Sequence, residues 1–264
     1  MVRVHFITGN KGNIGKSVWA SGVVEYYRHH QKPLIVIDSD NDSRTLKSTY
    51  HDSKILVLSD DPIMAGQPDL IMTIAYEENQ KTVGEPADIL VDLPAGGEKA
   101  INQWIEECGL DVPTDSFEVD LIKWWVCDSD PSSIKLFEDS VKKYSSIKHI
   151  FLKNMGRSRE YQWDAFNESK SIKSLCKKNS VSVVEIPVLT PTAINKLREE
   201  GIEMNQAVED TKLEKVDIGT RLRVMSWLSR TQHLIENEIL LGSEKEAKQA
   251  QLEAEQVQEV TASV

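Results

Sequence analysis

An open, doubly wound and mainly parallel α/β sheet flanked by helices is the fold this sequence predicts. Short apolar runs alternate with segments of helical period as far as about residue 241. A glycine-rich loop joins the first run to the first helical segment, and acids close the next runs. With 264 residues, the chain is long enough for one such domain. Strand 3–8 ends at Gly9, and a helix is expected over about 16–30. Leu34-Ile35-Val36-Ile37 makes a buried strand ending in Asp38, followed by an irregular stretch and a short strand at 54–58. Pro68-Asp69 opens a helix whose Leu70, Ile71, Ile74 and Ala75 recur at helical spacing. Strand 88–92 precedes a helix over about 99–108, and strand 120–127 precedes one that Pro131 starts and that reaches Tyr144. Strand 147–152, helix 163–177 and strand 181–186 follow, then helices over about 192–200 and 217–241. After Gly242, residues 242–264 have no aromatic residue and little apolar content, which predicts a frayed or disordered acidic tail.

The loop after the first strand carries the chemistry. It reads Lys11-Gly12-Asn13-Ile14-Gly15-Lys16-Ser17. Glycines let a loop wrap closely enough for its N–H groups to point at phosphate oxygens. The helix that follows adds its unpaired N–H groups and its dipole. Backbone from Gly12, Asn13, Ile14, Gly15, Lys16, Ser17 and Val18 would therefore cradle a nucleoside triphosphate. Lys16 can reach the β- and γ-phosphates, and the Ser17 hydroxyl can sit on Mg²⁺. Asp38-Ser39-Asp40 and Asp92-Leu93-Pro94-Ala95-Gly96-Gly97 both lie at carboxyl ends of strands, where ligands of parallel sheets bind. Carboxylates there can hold Mg²⁺ through water and orient an attacking water.

The second lysine, Lys11, five residues before Lys16, carries a resemblance. Lys-Gly-x-x-Gly-Lys-Ser is similar to the deviant P-loop of the ParA/MinD ATPases, with Asn13 where that family usually has a glycine. Asn tolerates positive φ better than most residues. The resemblance covers roughly residues 1–195 and implies a P-loop ATPase domain over 1–241. It also implies ATP and Mg²⁺ as cofactors and a homodimer in the ATP state. Lys11 would reach into the partner's site, Asp38 with Ser17 and Asp92 would organise the metal, and Asp40 would aim the water. Asp92 and the following turn match the second Asp motif of the family, and Asn41-Asp42 stand where switch I usually reads Pro-Gln. Asn154, after strand 147–152, occupies the place of an Asn that reads the adenine edge, and the loop after Pro187 resembles one that packs on the base. The Asp-Leu-Pro-Ala-Gly-Gly and Asn-Met-Gly-Arg segments look most like the plasmid stability and conjugation branch, the StbB-like relatives. That implies positioning or transfer of plasmid DNA with a small DNA-bound partner protein. A nucleotide-gated adaptor without DNA contact stays open, as does an amidoligase-like enzyme, although no residues for a small-acid pocket stand out.

Composition bounds these expectations. The formal charge is −11, which on average repels nucleic acid and membranes. Charge is segregated, however. Residues 52–130 hold 18 acids against 4 lysines, and residues 140–178 hold 10 basic residues against 3 acids. Lys170, Lys173 and Lys177 share one helical face. The basic region 142–178 would suit duplex DNA without sequence preference, a protein partner, or solvent alone. No apolar run approaches a membrane span, and the tail carries five acids against two lysines, so membrane anchoring is not expected. The N-terminus enters a strand at once, so no signal peptide is expected. Three scattered cysteines show no metal spacing and suggest reduced thiols in the cytoplasm. Adjacent Trp124 and Trp125 in a strand should face opposite sides, each covered by helices.

Overall fold

The computed structural model describes residues 1–41, 43–59, 61, 66–112, 118–210 and 214–239. The tail expected at 242–264 and Asp42 lie outside the described residues. Seven strands form one sheet: β1 (Val2–Thr8), β2 (Leu34–Asp38), β3 (Lys54–Ile55), β4 (Asp88–Asp92), β5 (Val119–Cys127), β6 (Lys148–Asn154) and β7 (Ser182–Ile186). Their order is β3-β2-β4-β1-β5-β6-β7, and every pairing is parallel. The chain runs from β1 outward to β2 and β3, returns to insert β4, then crosses to β5. Loops that leave β1 therefore sit where the winding direction changes, which is where such sheets bind ligands.

Helices cover both faces. These are α1 (Lys16–His29), α2 (Thr45–Thr49), α3 (Asp69–Asn79), α4 (Gly97–Glu107), α5 (Pro131–Lys143), α6 (Asp164–Glu168), α7 (Lys170–Lys178), α8 (Pro191–Glu200) and α9 (Met204–Glu209). A further helix occupies 218–239. The alternation of side chains along buried strands feeds apolar clusters on both faces of the sheet. Phe6 and Val4 of β1 join Ile71, Ile101 and Trp104 on one face, and Ile7 joins Trp19, Val23 and Trp227 on the other. Trp124 and Trp125 divide in the same way, each buried under helices. The helix 218–239 packs directly on α1, and glycine makes the approach close. A Cβ on Gly22 would lie 2.9 Å from both Thr231 Cγ2 and Trp227 Cη2. Among the described residues no helix is long and apolar enough to cross a membrane.

Three expectations need correction. The helix expected over 163–177 is broken: a 3₁₀ turn at Glu160–Trp163 leads into α6, and α7 starts afresh after Ser169. Ser169 is extended at φ −67°, ψ 110°, and its side chain caps α7 by accepting from Ile172 N–H. Strand β3 is two residues rather than five. The stretch after Asp38 is not wholly irregular, because α2 forms there. Its hold is tertiary, with Lys47 N–H donating to Asp38 Oδ2 at 2.9 Å and Lys47 Nζ to the carbonyls of His51 and Ser53.

Between the sheet and α4 lies a buried ion pair that composition alone conceals. Lys123, in the middle of β5, is fully buried and donates to Glu98 Oε1 at 2.8 Å and to Asn102 Oδ1 at 2.6 Å. Glu98 also accepts from Thr8, the last residue of β1. The first turn of α4 is thereby fixed to the strand that launches the phosphate-type loop. Removing one partner of such a pair leaves a buried charge unmatched, at a cost of about 3–5 kcal/mol. Urea unfolding of Glu98→Ala should show a loss of that order, and Glu98→Leu combined with Lys123→Met should recover most of it.

Candidate functional site

The loop between β1 and α1 has the conformation its residues predict. Asn13 has φ 58° and Gly15 has φ 101°, both left-handed. At Gly15 a side chain would also collide, because a Cβ there would lie 2.5 Å from Asn154 Nδ2. No side chain caps α1 at Gly15, so its first N–H groups are not taken by a cap. Lys16 folds back over the loop, with Nζ donating to the Lys11 carbonyl at 2.9 Å and only 7% of the residue exposed. Burial pulls the pKa of its ammonium down, opposed by the charges of Asp92 and Asp40. Lys11 points the other way. Its Nζ lies 3.0 Å from Asp128 Oδ2 and 3.1 Å from Asp130 Oδ2, both just beyond β5. Burial works against its charge, but hydrogen bonds to the two acids outweigh that and raise its pKa.

The acids converge because of register. Asp38 of β2 pairs with Asp92 of β4, and paired residues of parallel strands project from the same face. Asp38 is held by its own segment, accepting from Asp40 N–H at 3.0 Å and from Lys47 N–H. Asp40 accepts from both the N–H and the hydroxyl of Ser43. Asp92 is 1% exposed, and its Oδ1 has no hydrogen-bond partner among the described residues. Burial raises its pKa to about 7; the Ser17 hydroxyl and Lys16 counter this, while Asp38 and Asp40 add to it. An orphaned carboxylate oxygen beside the Ser17 hydroxyl suits a divalent cation. Among the described residues no group of three or more His, Cys, Asp or Glu side chains could hold a metal. A cation here would depend on Ser17, water and the ligand's own oxygens as well as on the acids, as Mg²⁺ commonly does.

A cavity of about 500 Å³ opens above these residues. Gly12, Gly15, Lys16 and Ser17 form its floor, and Asp40 and Ala95 lie on its wall. Asn154 also lines it, but its amide is engaged: Nδ2 donates to the Ile14 carbonyl at 2.5 Å, and Oδ1 accepts from Gly156 N–H at 2.9 Å. In this state Asn154 ties the loop to β6, and contact with a purine edge would exchange those bonds. Pro187, Leu189 and Trp227 give an apolar wall, with Trp227 Nε1 donating to the Pro187 carbonyl at 2.9 Å. Arg157, Asn195 and Arg198 also line the cavity. Sequence patterns marked Arg157 only as part of the Asn-Met-Gly-Arg segment and the basic region, and did not mark Asn195 and Arg198, since nothing in the local pattern of α8 says that it meets a loop formed far earlier in the chain.

Part of the basic region at 142–178 is already neutralised. Lys142, Lys143 and Lys153 pair with Glu138, Glu106 and Glu185. Lys170, Lys173 and Lys177 are exposed on α7.

No protein-family model matches the chain, and no curated protein matches its sequence. Solved structures match its fold. A chain of the MinC:MinD cell division protein complex of Aquifex aeolicus is 15% identical with a TM-score of 0.50, over 87% of this chain and 95% of that one. The septum site-determining protein MinD complexed with Mg-ADP from Pyrococcus horikoshii OT3 is 15% identical, with a TM-score of 0.47 over 89% and 98%. A nucleotide-binding protein in complex with ADP from Archaeoglobus fulgidus is 16% identical, with a TM-score of 0.46 over 76% and 86%. The seven-stranded parallel sheet, the loop between β1 and α1 and the first of these likenesses define a P-loop NTPase fold of the MinD kind.

The raised pKa of Asp92 has a consequence for stability. Its folded-state value of about 7 lies above the ordinary aspartate value of 3.8, so the folded protein binds the extra proton between those values. The destabilisation from ionising this buried acid therefore grows as pH rises from about 4 to about 7, and then levels off. Asp92→Asn should melt at a higher temperature than the unaltered protein at pH 8 without nucleotide or Mg²⁺. That advantage should shrink steadily in thermal scans taken toward pH 4.

Proposed function

We propose that this protein is a Mg-ATP-dependent dimerisation switch of the ParA/MinD kind, with slow ATP hydrolysis that times its return to monomer. One observation carries this: a second lysine, Lys11, stands on a phosphate-type loop whose Lys16 and Ser17 line one cavity with Asp40, while the Ser17 hydroxyl is bonded to the buried Asp92. Lys16 and the backbone N–H groups from Gly12 to Val18 would hold the β- and γ-phosphates. Ser17, Asp38 and Asp92 would hold Mg²⁺, which supplies charge neutralisation on the phosphates. Asp40 would orient the water, kept in aim by Ser43. Asn154 and the wall at Pro187 would receive the adenine.

Lys11 would act in trans, on the triphosphate of a facing subunit. In the monomer its charge is satisfied in cis by Asp128 and Asp130. Dimer formation thus exchanges one set of anions for another, and only a ligand with enough negative charge favours the exchange. That makes the response to ATP sharper than the response to ADP. Lys11→Ala should retain binding of Mg-ATP in calorimetry yet lose ATP-dependent dimerisation and most turnover. Unchanged dimerisation and turnover would rule out the cross-subunit role.

The cargo we propose is plasmid DNA, positioned or transferred with a small DNA-bound partner protein. The resemblance of the Asp-Leu-Pro-Ala-Gly-Gly and Asn-Met-Gly-Arg segments supports that branch. With Lys142, Lys143 and Lys153 paired, direct DNA contact would fall to α7. Changing Lys170, Lys173 and Lys177 together to Glu should abolish salt-sensitive retention of duplex DNA by the ATP-bound protein. If retention persists, DNA is not held by α7; if the unaltered protein retains none, the adaptor role without DNA contact is favoured.

A further inference from the structure

Two cations on the cavity wall have no paired counter-charge among the described residues. Arg157 follows β6 in the turn after Asn154, and Arg198 lies in the last turn of α8. Among the described residues neither side chain makes an ion pair or a hydrogen bond. Guanidinium groups facing one cavity repel each other unless an anion lies between them. The plainest alternative for Arg198 is a helix-end cation, complementing the exposed carbonyls of α8.

Position separates the two arginines. Arg198 also lines a narrow cleft with Ser17, Val18 and Thr45, the first turns of α1 and α2. Arg157 is not part of that cleft and stands with Asn154 and Gly156. Arg198 is therefore on the side of the phosphate-type loop, and Arg157 on the side of the apolar wall. A cavity of about 500 Å³ suits a single nucleotide-sized ligand rather than a nucleotide and a second substrate. The end of α8 is also close to α2, because a Cβ on Gly201 would lie 3.4 Å from the Ser48 carbonyl.

We infer that Arg198 is a phosphate-binding residue that closes over the phosphate chain of the nucleotide from α8, across from Lys16. The assignment rests on the nucleotide reading proposed above and deepens it. The planar fork of a guanidinium matches phosphate oxygens in pairs, which an ammonium cannot do. Burial lowers the pKa of Arg198, Arg157 adds to this, and the charge of Asp92 opposes it. A desolvated guanidinium gains more from an anion than one in open water. Phosphates held from both sides would fasten α8 to the loop and, through it, to α2 beside Asp40. Nucleotide binding would then be felt at the far end of the sheet, beyond β7.

Calorimetric titration of the full chain tests this with two probes, Mg-ATP and Mg-tripolyphosphate, on the unaltered protein, Arg198→Ala and Arg198→Lys. The alanine variant should bind both probes about 10- to 100-fold more weakly, the scale of a hydrogen bond to a charged group. The lysine variant should recover part of that loss, and the melting temperatures without ligand should agree. Unchanged affinity in Arg198→Ala would overturn the assignment and leave the nucleotide reading standing. Weaker binding of Mg-ATP alone, with tripolyphosphate unaffected, would overturn it too, because the contact would then be with the base or sugar. If the unaltered protein binds neither probe, the nucleotide reading falls first and this assignment with it.

Discussion

Everything at the site depends on the register between β2 and β4. That pairing sets Asp38 beside Asp92 at the carboxyl edge of the sheet, under Lys16 and against the Ser17 hydroxyl. Two acids side by side in a dry place repel each other, and burial disfavours the charge of each. Asp38 is relieved by backbone N–H groups of its own segment. Asp92 has less relief, and its orphaned oxygen and high pKa are the result. Such an arrangement is poor for stability and good for capturing a cation with an attached anion.

The same edge is mechanically tied to the body of the protein. Glu98 opens α4 directly after the Asp92 segment, and it is locked to Lys123 in β5 and to Thr8 before the loop. A shift of the turn at Pro94-Ala95-Gly96 would therefore be resisted by a buried ion pair rather than absorbed. On the other side, Lys11 is held between Asp128 and Asp130, at the end of the same strand β5. The loop thus has two charged moorings, one deep and permanent, one at the surface and exchangeable. The proposed switch would use that contrast, because an element with only rigid contacts cannot move and one with none cannot hold a state.

Much of the fold was legible in the sequence because parallel strands buried on both faces leave nearly continuous apolar runs. Leu34 to Ile37 and Ile89 to Val91 are such runs, Val2 to Thr8 is one interrupted by Arg3 and His5, and Gly15 of the loop lies where left-handed backbone is required. Asn13 at φ 58° fits the expectation that asparagine can stand for glycine there. Ser169 could have marked the break as a capping residue, but the lysine periodicity that follows it, at Lys170, Lys173 and Lys177, extends a helical pattern and masked it. Other features carry no local signal. The order of the strands, the five-residue α2 anchored by Asp38, and the buried place of Lys123 are all set by contacts distant in sequence. The engagement of Asn154 with Ile14, and the place of Arg198 on the cavity wall, belong to the same class.

In the proposed dimerisation switch, ATP joins two copies of this molecule and ADP does not. Sedimentation velocity on the unaltered protein, run with Mg-ATP, with Mg-ADP and without nucleotide, tests it most directly. A dimer boundary is expected with Mg-ATP alone and a monomer in the other two conditions. A monomer in all three, at ATP concentrations where calorimetry shows the site filled, would contradict it.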